Sequence, residues 1–195
     1  MQPYLPLVLA SRSPRRAELL AAAGIPFVVR AADIDETPRH GEMPRSYVLR
    51  MAEEKACAVA TSEFETALAA DTTVVQGTRI LGKPVDAADA ARMLAGLAGQ
   101  RHDVLTGICV RRSGRRLALA VASTTVWFSQ MSEWEIADYV ASGEPMDKAG
   151  AYAIQGMASR WIDRIDGSYT NVVGLPVALV CRLLSHIGKG SHSPF

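Results

Sequence analysis

Apolar positions along this chain follow two spacings, and the spacing changes several times before the midpoint. Leu5 to Ala10 is a continuous apolar run of strand length. Arg15 to Ala23 has helical spacing and is closed by Gly24; Ser13 and Pro14 before it suit an N-cap and a first helical position. Phe27 to Arg30 reads as a strand, followed by the acidic loop Asp33-Ile34-Asp35-Glu36. Pro44 to Ser62 reads as a helix with Val48, Met51 and Ala58 on one face. Leu68 to Val75 is a strand interrupted by Asp71, and Ile80-Leu81 returns beyond a turn at Gly77. Asp86 to Leu97 is a helix with Asp86 as cap and Gly99 as stop.

The second half turns to hairpins. His102 to Val110 and Leu117 to Phe128 flank Ser113-Gly114 as one long hairpin. Ser132 and Glu135 form a capping box that opens a helix ending near Gly143. Trp161 to Ile165 and Tyr169 to Val173 flank Asp166-Gly167, which predicts another hairpin. Leu179 to Ile187 is a closing helix begun near Pro176, and Gly188 to Phe195 reads as a frayed polar tail. Early strand–helix alternation with hairpins in the middle predicts an α/β fold on a mixed sheet. The 195 residues suit a single domain, with the turn Gly82-Lys83-Pro84 separating two lobes around a cleft.

Composition narrows the function classes. Nearly half the residues are hydrophobic and the formal net charge is +1, so nothing suggests a bulk nucleic-acid or membrane binder. Cys57, Cys109 and Cys181 are odd in number and unpatterned, as expected of buried thiols in a reducing compartment. The four histidines lack zinc spacing. No stretch is long enough to span a membrane, and the first apolar run has no basic segment before it. A cytoplasmic location is the expectation.

Arg15 and Arg16 are the most informative local conflict. Both fall in the first turn of a helix, where the dipole disfavours cations. An anion at that helix start would remove the conflict, because backbone N–H groups already point there and guanidiniums grip phosphate oxygens. Two solvated arginines are the plain alternative, and on this segment both readings stand. Asp71 is a second conflict: a carboxylate in an apolar strand must be paired, solvated or cation-bound, or else bonds a neighbouring turn. The acidic loop Asp33 to Glu36 could supply a second carboxylate to a Mg²⁺ ion shared with substrate phosphates, although acidic loop clusters are usually just solvated. Lys55 lies on a helix, usually a plain solvated position; Lys83 is better placed, since its turn restricts the backbone. Glu144 to Gly156 is rich in small residues, with Gln155 offering a donor and an acceptor, and reads by itself as a flexible loop. There is no P-loop, dinucleotide fingerprint or Gly-x-Ser-x-Gly elbow, and no serine or cysteine with an evident histidine partner.

Five segments occur in order: Ser11-Arg12-Ser13-Pro14-Arg15-Arg16, Ala70-Asp71-Thr72, Gly82-Lys83-Pro84, Asp147-Lys148-Ala149-Gly150-Ala151-Tyr152 and Asn171-Val172-Val173-Gly174-Leu175-Pro176. Taken together they resemble the Maf family of nucleotide pyrophosphatases. The match runs from about Leu7 to Leu184. The resemblance implies a Maf-like α/β fold related to the inosine triphosphate pyrophosphatases. It also implies hydrolysis of a nucleoside triphosphate to monophosphate and pyrophosphate with Mg²⁺ or Mn²⁺. On the same basis Asp71 is the catalytic carboxylate that activates water. Ser11, Arg16, Glu36, Lys55 and Lys83 match residues around phosphates and metal, with Glu36 on the metal. Arg15, Thr72 and Gln155 match the branch acting on dTTP and UTP; the branch acting on 7-methyl-GTP carries bulkier or acidic residues there. A homodimer is a further family expectation. A septum-formation regulator acting by binding alone is the alternative of another class, and Asn171 is assigned no role.

Overall fold

The computed structural model describes residues 6–31, 33–59 and 61–189. A seven-stranded mixed sheet contains β1 (Leu7–Leu9), β2 (Val28–Val29), β3 (Thr66–Gln76), β4 (Arg79–Leu81), β5 (Arg101–Arg112), β6 (Arg115–Phe128) and β7 (Ile162–Asp166). Its order is β2-β1-β3-β5-β6-β7, with β4 paired to β3. β1 is parallel to both β2 and β3, while β3–β4 and β6–β7 are antiparallel. The mixed α/β expectation is therefore met. The helices are α1 (Pro14–Ala22), α2 (Pro44–Ala58), α3 (Ala87–Leu97), α4 (Glu133–Ala141), α5 (Tyr169–Val173) and α6 (Val177–Lys189).

The chain divides into two compact units. One runs to Asp71 and adds Thr106–Ala122 and the chain from Gly174; the other is Thr72–Leu105 with Ser123–Val173. In the first, strand alternation sorts side chains onto two faces. Leu7, Leu9, Leu68 and Ala70 pack with Leu20 of α1 and Val180 of α6. Val8, Ala10 and Ala69 pack with Ala52 and Ala56 of α2. Val48, Met51, Ala52 and Ala56 are all buried, so the expected inward face of α2 holds at Val48 and Met51 and fails only at Ala58, which is exposed. Cys57 beside it is exposed too, against the expected burial, whereas Cys109 is buried. The helix also ends at Ala58, short of Ser62. β5 meets α2 across Gly107, where a Cβ would lie 2.1 Å from the Val48 carbonyl oxygen.

The second unit packs Leu94 and Leu97 of α3 and Ile136 and Tyr139 of α4 with Val104, Val126, Phe128 and Trp161. His102, Phe128 and Tyr152 form an edge-to-face aromatic group with centroids 4.8–5.3 Å apart. Asp86 and Ser132 cap α3 and α4 as their sequences predict. Ser13 occupies the N-cap position of α1 but its side chain makes no capping bond.

The expected hairpin around Asp166-Gly167 is only half present. β7 pairs with β6, but Tyr169–Val173 is helical. The reason is Ser168 and Asn171. Ser168 receives a bond from the Asn171 N–H, and the buried Asn171 amide donates to the Val104 carbonyl and to Thr124 Oγ1. A helical turn is what brings both contacts to Ser168 and Asn171. The low-cue segment after α4 is folded into short 3-10 turns at Glu144–Asp147, Ala149–Ala151 and Met157–Trp161. Of the polar tail, residues 190–195 lie outside the described residues, while α6 runs to Lys189.

Candidate active site

Strand parity decides where Asp71 points. Ala69 faces α2, so Asp71 two residues later faces α2 as well. β3 runs unbroken through Asp71, correcting the expected interruption. Its carboxylate survives in the strand because it is paired: Lys55 Nζ donates to Oδ1 at 2.6 Å. Lys55 follows Ala52 by three residues on α2, which turns it inward, and its side chain is only 13% exposed. The same ammonium lies 2.8 Å from Glu36 Oε1. One lysine thus gathers a buried carboxylate and a half-exposed one.

Tyr47 and Arg50 of α2 hold the Glu36 loop. The Tyr47 hydroxyl donates to the Glu36 carbonyl at 2.9 Å, and Arg50 donates to the Thr37 carbonyl and to both Glu42 oxygens. Neither residue was singled out by the sequence. The only available signal was their place on the same helix as Lys55.

Arg16 completes this group. Its Nε donates to the Gly174 carbonyl at 2.8 Å and Nη1 to Ser11 Oγ at 3.1 Å. Ser11 is buried and also accepts from the Ser13 N–H. The turn before α1 therefore aims Arg16, and the guanidinium spends part of its donor set on the protein itself. Arg15 is half-buried beside it.

Charge is balanced inside this cluster. Burial is the largest influence on Asp71 and raises its pKa above the ordinary aspartate value. The Lys55 charge and hydrogen bond and the Arg16 charge pull it down, and Glu36 adds a smaller upward push. Burial lowers the Arg16 pKa, against the attraction of Asp71 and Glu36. A partly desolvated carboxylate of raised basicity beside two fixed cations suits proton abstraction next to a bound polyanion.

The first unit thus brings together Ser11, Arg16, Glu36, Lys55 and Asp71. Thr72 opens the second unit, on the opposite strand face from Asp71. Lys83 and Gln155 are exposed in that unit, on segments joined by a hydrogen bond from the Gly150 N–H to the Gly82 carbonyl. Among the described residues no group of three or more His, Cys, Asp or Glu side chains is placed to hold a metal ion. No helix among them is long and apolar enough to cross a membrane.

The protein resembles known ones along most of its length. A dTTP/UTP pyrophosphatase of Anaeromyxobacter dehalogenans is 54% identical over 185 residues, covering 93% of this chain and 94% of the relative. Proteins of the same name from Geobacter sulfurreducens and Cereibacter sphaeroides are 53% and 51% identical, covering 93% of this chain and 96% and 95% of theirs. Among solved structures, a HAM1 protein from Coxiella burnetii aligns over 95% of this chain and 99% of its own, with TM-score 0.51 and 15% identity. The Staphylococcus aureus Ham1 protein aligns over 93% and 98%, with TM-score 0.52 and 13% identity. These two likenesses concern the fold. The family profile described as Maf-like protein matches residues 6–187, and with the identities above it establishes that the chain belongs to the Maf family.

Proposed function

We propose that the chain is a nucleoside triphosphate pyrophosphatase acting on dTTP and UTP. Water adds to the α-phosphorus, the bond to the bridging oxygen breaks, and the products are the nucleoside monophosphate and pyrophosphate. The observation that carries this reading is Asp71, a buried strand carboxylate of raised pKa held by Lys55 and facing the charge of Arg16. Asp71 takes a proton from the attacking water. Lys55, Arg16, Ser11 and Lys83 bind the phosphates; most of the rate in such a transfer comes from positioning and charge neutralisation. The relatives' name supports the choice of dTTP and UTP.

A divalent cation fits the donor set. Glu36 presents carboxylate oxygen, is about half exposed, and shares an ammonium with Asp71. Mg²⁺ is commonly held by one or two carboxylates together with substrate phosphates, which agrees with the lack of a larger ligand cluster among the described residues. Glu36 would hold Mg²⁺ or Mn²⁺, which when bound neutralises phosphate charge. Arg15, Thr72 and Gln155 contact or read the base. One domain comprising both units, a cytoplasmic location and a homodimer belong to the same reading.

The test is product analysis. dTTP with Mg²⁺ or Mn²⁺ should yield dTMP and pyrophosphate in equal amounts. Stepwise release of single phosphates through dTDP overturns the reading.

A further inference from the structure

Gln155 stands at the centre of residues 153–157, and both ends of that segment are tied to one pair of side chains. The Ala153 N–H donates to the Tyr139 hydroxyl oxygen at 3.2 Å. The Met157 N–H is shared between the two Glu144 oxygens at 3.1 and 3.2 Å. The Tyr139 hydroxyl in turn donates to Glu144 Oε1 at 2.8 Å, which closes the circuit. Between the two ends the Gly156 N–H donates to the Ala153 carbonyl at 3.0 Å, folding the segment into a turn.

The carboxylate sits directly on the backbone. A Cβ at position 156 would lie 2.2 Å from Glu144 Oε1, so any side chain there would force the Glu144 carboxylate to shift from this place. Tyr139 is fully buried on α4, with its ring 5.5 Å from that of Trp161. Burial raises its pKa, which keeps the hydroxyl a donor to Glu144. Gln155 itself points to solvent. The pair therefore fixes the backbone two residues before and two residues after an exposed amide. A side chain that discriminates by hydrogen bonds needs such support, because an amide displaced by about 1 Å loses its directional contacts.

We propose that Tyr139 and Glu144 are positioning residues for base discrimination. Together they hold residues 153–157 so that the Gln155 amide meets the edge of a pyrimidine in one orientation. The inference rests on the assignment of Gln155 above as a reader of the base.

The experiment measures kcat/KM for dTTP, UTP and 7-methyl-GTP, with thermal melts as a check on folding. The proteins are wild type, Tyr139→Phe, Glu144→Gln, Gln155→Ala and the double variant Tyr139→Phe/Gln155→Ala. Tyr139→Phe keeps the ring and its packing while removing the oxygen that both receives Ala153 and binds Glu144. It should lower the ratio of dTTP to 7-methyl-GTP by about tenfold, the scale of one misplaced hydrogen bond. Glu144→Gln should act in the same direction. In the Gln155→Ala background Tyr139→Phe should lower the ratio no further, since it acts through the amide. Equal losses on all three nucleotides, or effects that add in full in the double variant, overturn the proposal. A ratio that changes in Gln155→Ala but not in Tyr139→Phe overturns the proposal alone. A ratio unchanged in Gln155→Ala overturns the assignment of Gln155 and the proposal with it. If Glu144→Gln does not fold, Tyr139→Phe decides by the same outcomes.

Discussion

Lys55 and Asp71 form an ion pair of 2.6 Å between the inward face of α2 and the middle of β3, with both side chains largely withdrawn from solvent. Removing Lys55 leaves the buried Asp71 carboxylate without its hydrogen-bonded partner and with only the Arg16 charge against its desolvation, whereas removing Asp71 leaves Lys55 still paired with Glu36. Lys55→Met should therefore destabilise by about 3 kcal/mol, the lower end for breaking a buried pair. At this chain length that corresponds to a fall in Tm of roughly 6–12 °C. It should also move the acid limb of the kcat/KM profile to higher pH, because Lys55 is what pulls the Asp71 pKa down. Thermal melts and a pH–rate profile check both outcomes; a limb that stays in place means Lys55 does not set the protonation of the base.

Asp71→Asn keeps the shape of the side chain but removes its charge and basicity. Turnover of dTTP should fall by roughly 10² to 10⁴, the span of a general base. The fold should survive. Burial already opposes ionisation at this position: with the native pKa above the unfolded one, the native state binds the proton more tightly, and that contribution is lost as pH rises through the native pKa. Circular dichroism and product formation measured on the same sample check this, and near-normal turnover in a folded variant would assign the base elsewhere.

Gln155→Glu tests the base assignment from the side of charge. It removes an NH₂ donor and places a negative charge beside a neutral thymine or uracil. A buried partner left unpaired costs about 1–3 kcal/mol, roughly ten- to a hundredfold in kcat/KM. A cationic 7-methylguanine should lose less or gain. Lys83→Met, by contrast, should weaken dTTP, UTP and 7-methyl-GTP by similar factors. Comparison of the three nucleotides across both variants separates base from phosphate; equal loss in Gln155→Glu would make Gln155 structural.

His102 should make stability fall on mild acidification. It is 3% exposed, its Nε2 lies 2.8 Å from the Tyr152 hydroxyl, and Nδ1 is buried with no hydrogen-bond partner among the described residues. Burial lowers its pKa to about 4, against an opposing pull from Asp103. Above about pH 6.5 the ring is neutral in both states. Between about 6.5 and 4 the unfolded chain binds a proton that the native state does not, so stability drops as pH falls, by at most about 3 kcal/mol. Melting curves from pH 7.5 to 5 should show this decline in wild type and a flatter one in His102→Gln. Parallel curves would remove His102 as its source.

Much of the local structure was legible because it is set by signals a few residues apart. The capping box at Ser132–Glu135, the Asp86 cap, the stop at Gly99 and the Ser113-Gly114 turn between β5 and β6 all act through the backbone beside them. Asp71 stood out for the same kind of reason: a carboxylate among alanines and valines is conspicuous wherever the strand goes. The hairpin expected at Asp166-Gly167 failed because the turn signal was local and the deciding contacts were not; Asn171 reaches Val104 and Thr124, far back in the chain. Lys55 looked like any surface lysine until α2 packed on β3. Arg16 is held by a carbonyl 158 residues away. Tyr139 and Glu144 fell in a helix and a loop with no sign that they share a task. The sequence by itself determined most of the strands and helices, though not the helical turn at Tyr169–Val173, and which residue types were at odds with their surroundings, because hydrophobic period and capping act over single turns. Which of those residues meet was decided only by tertiary structure, since strand parity, helix facing and packing distance depend on segments that the chain order keeps apart.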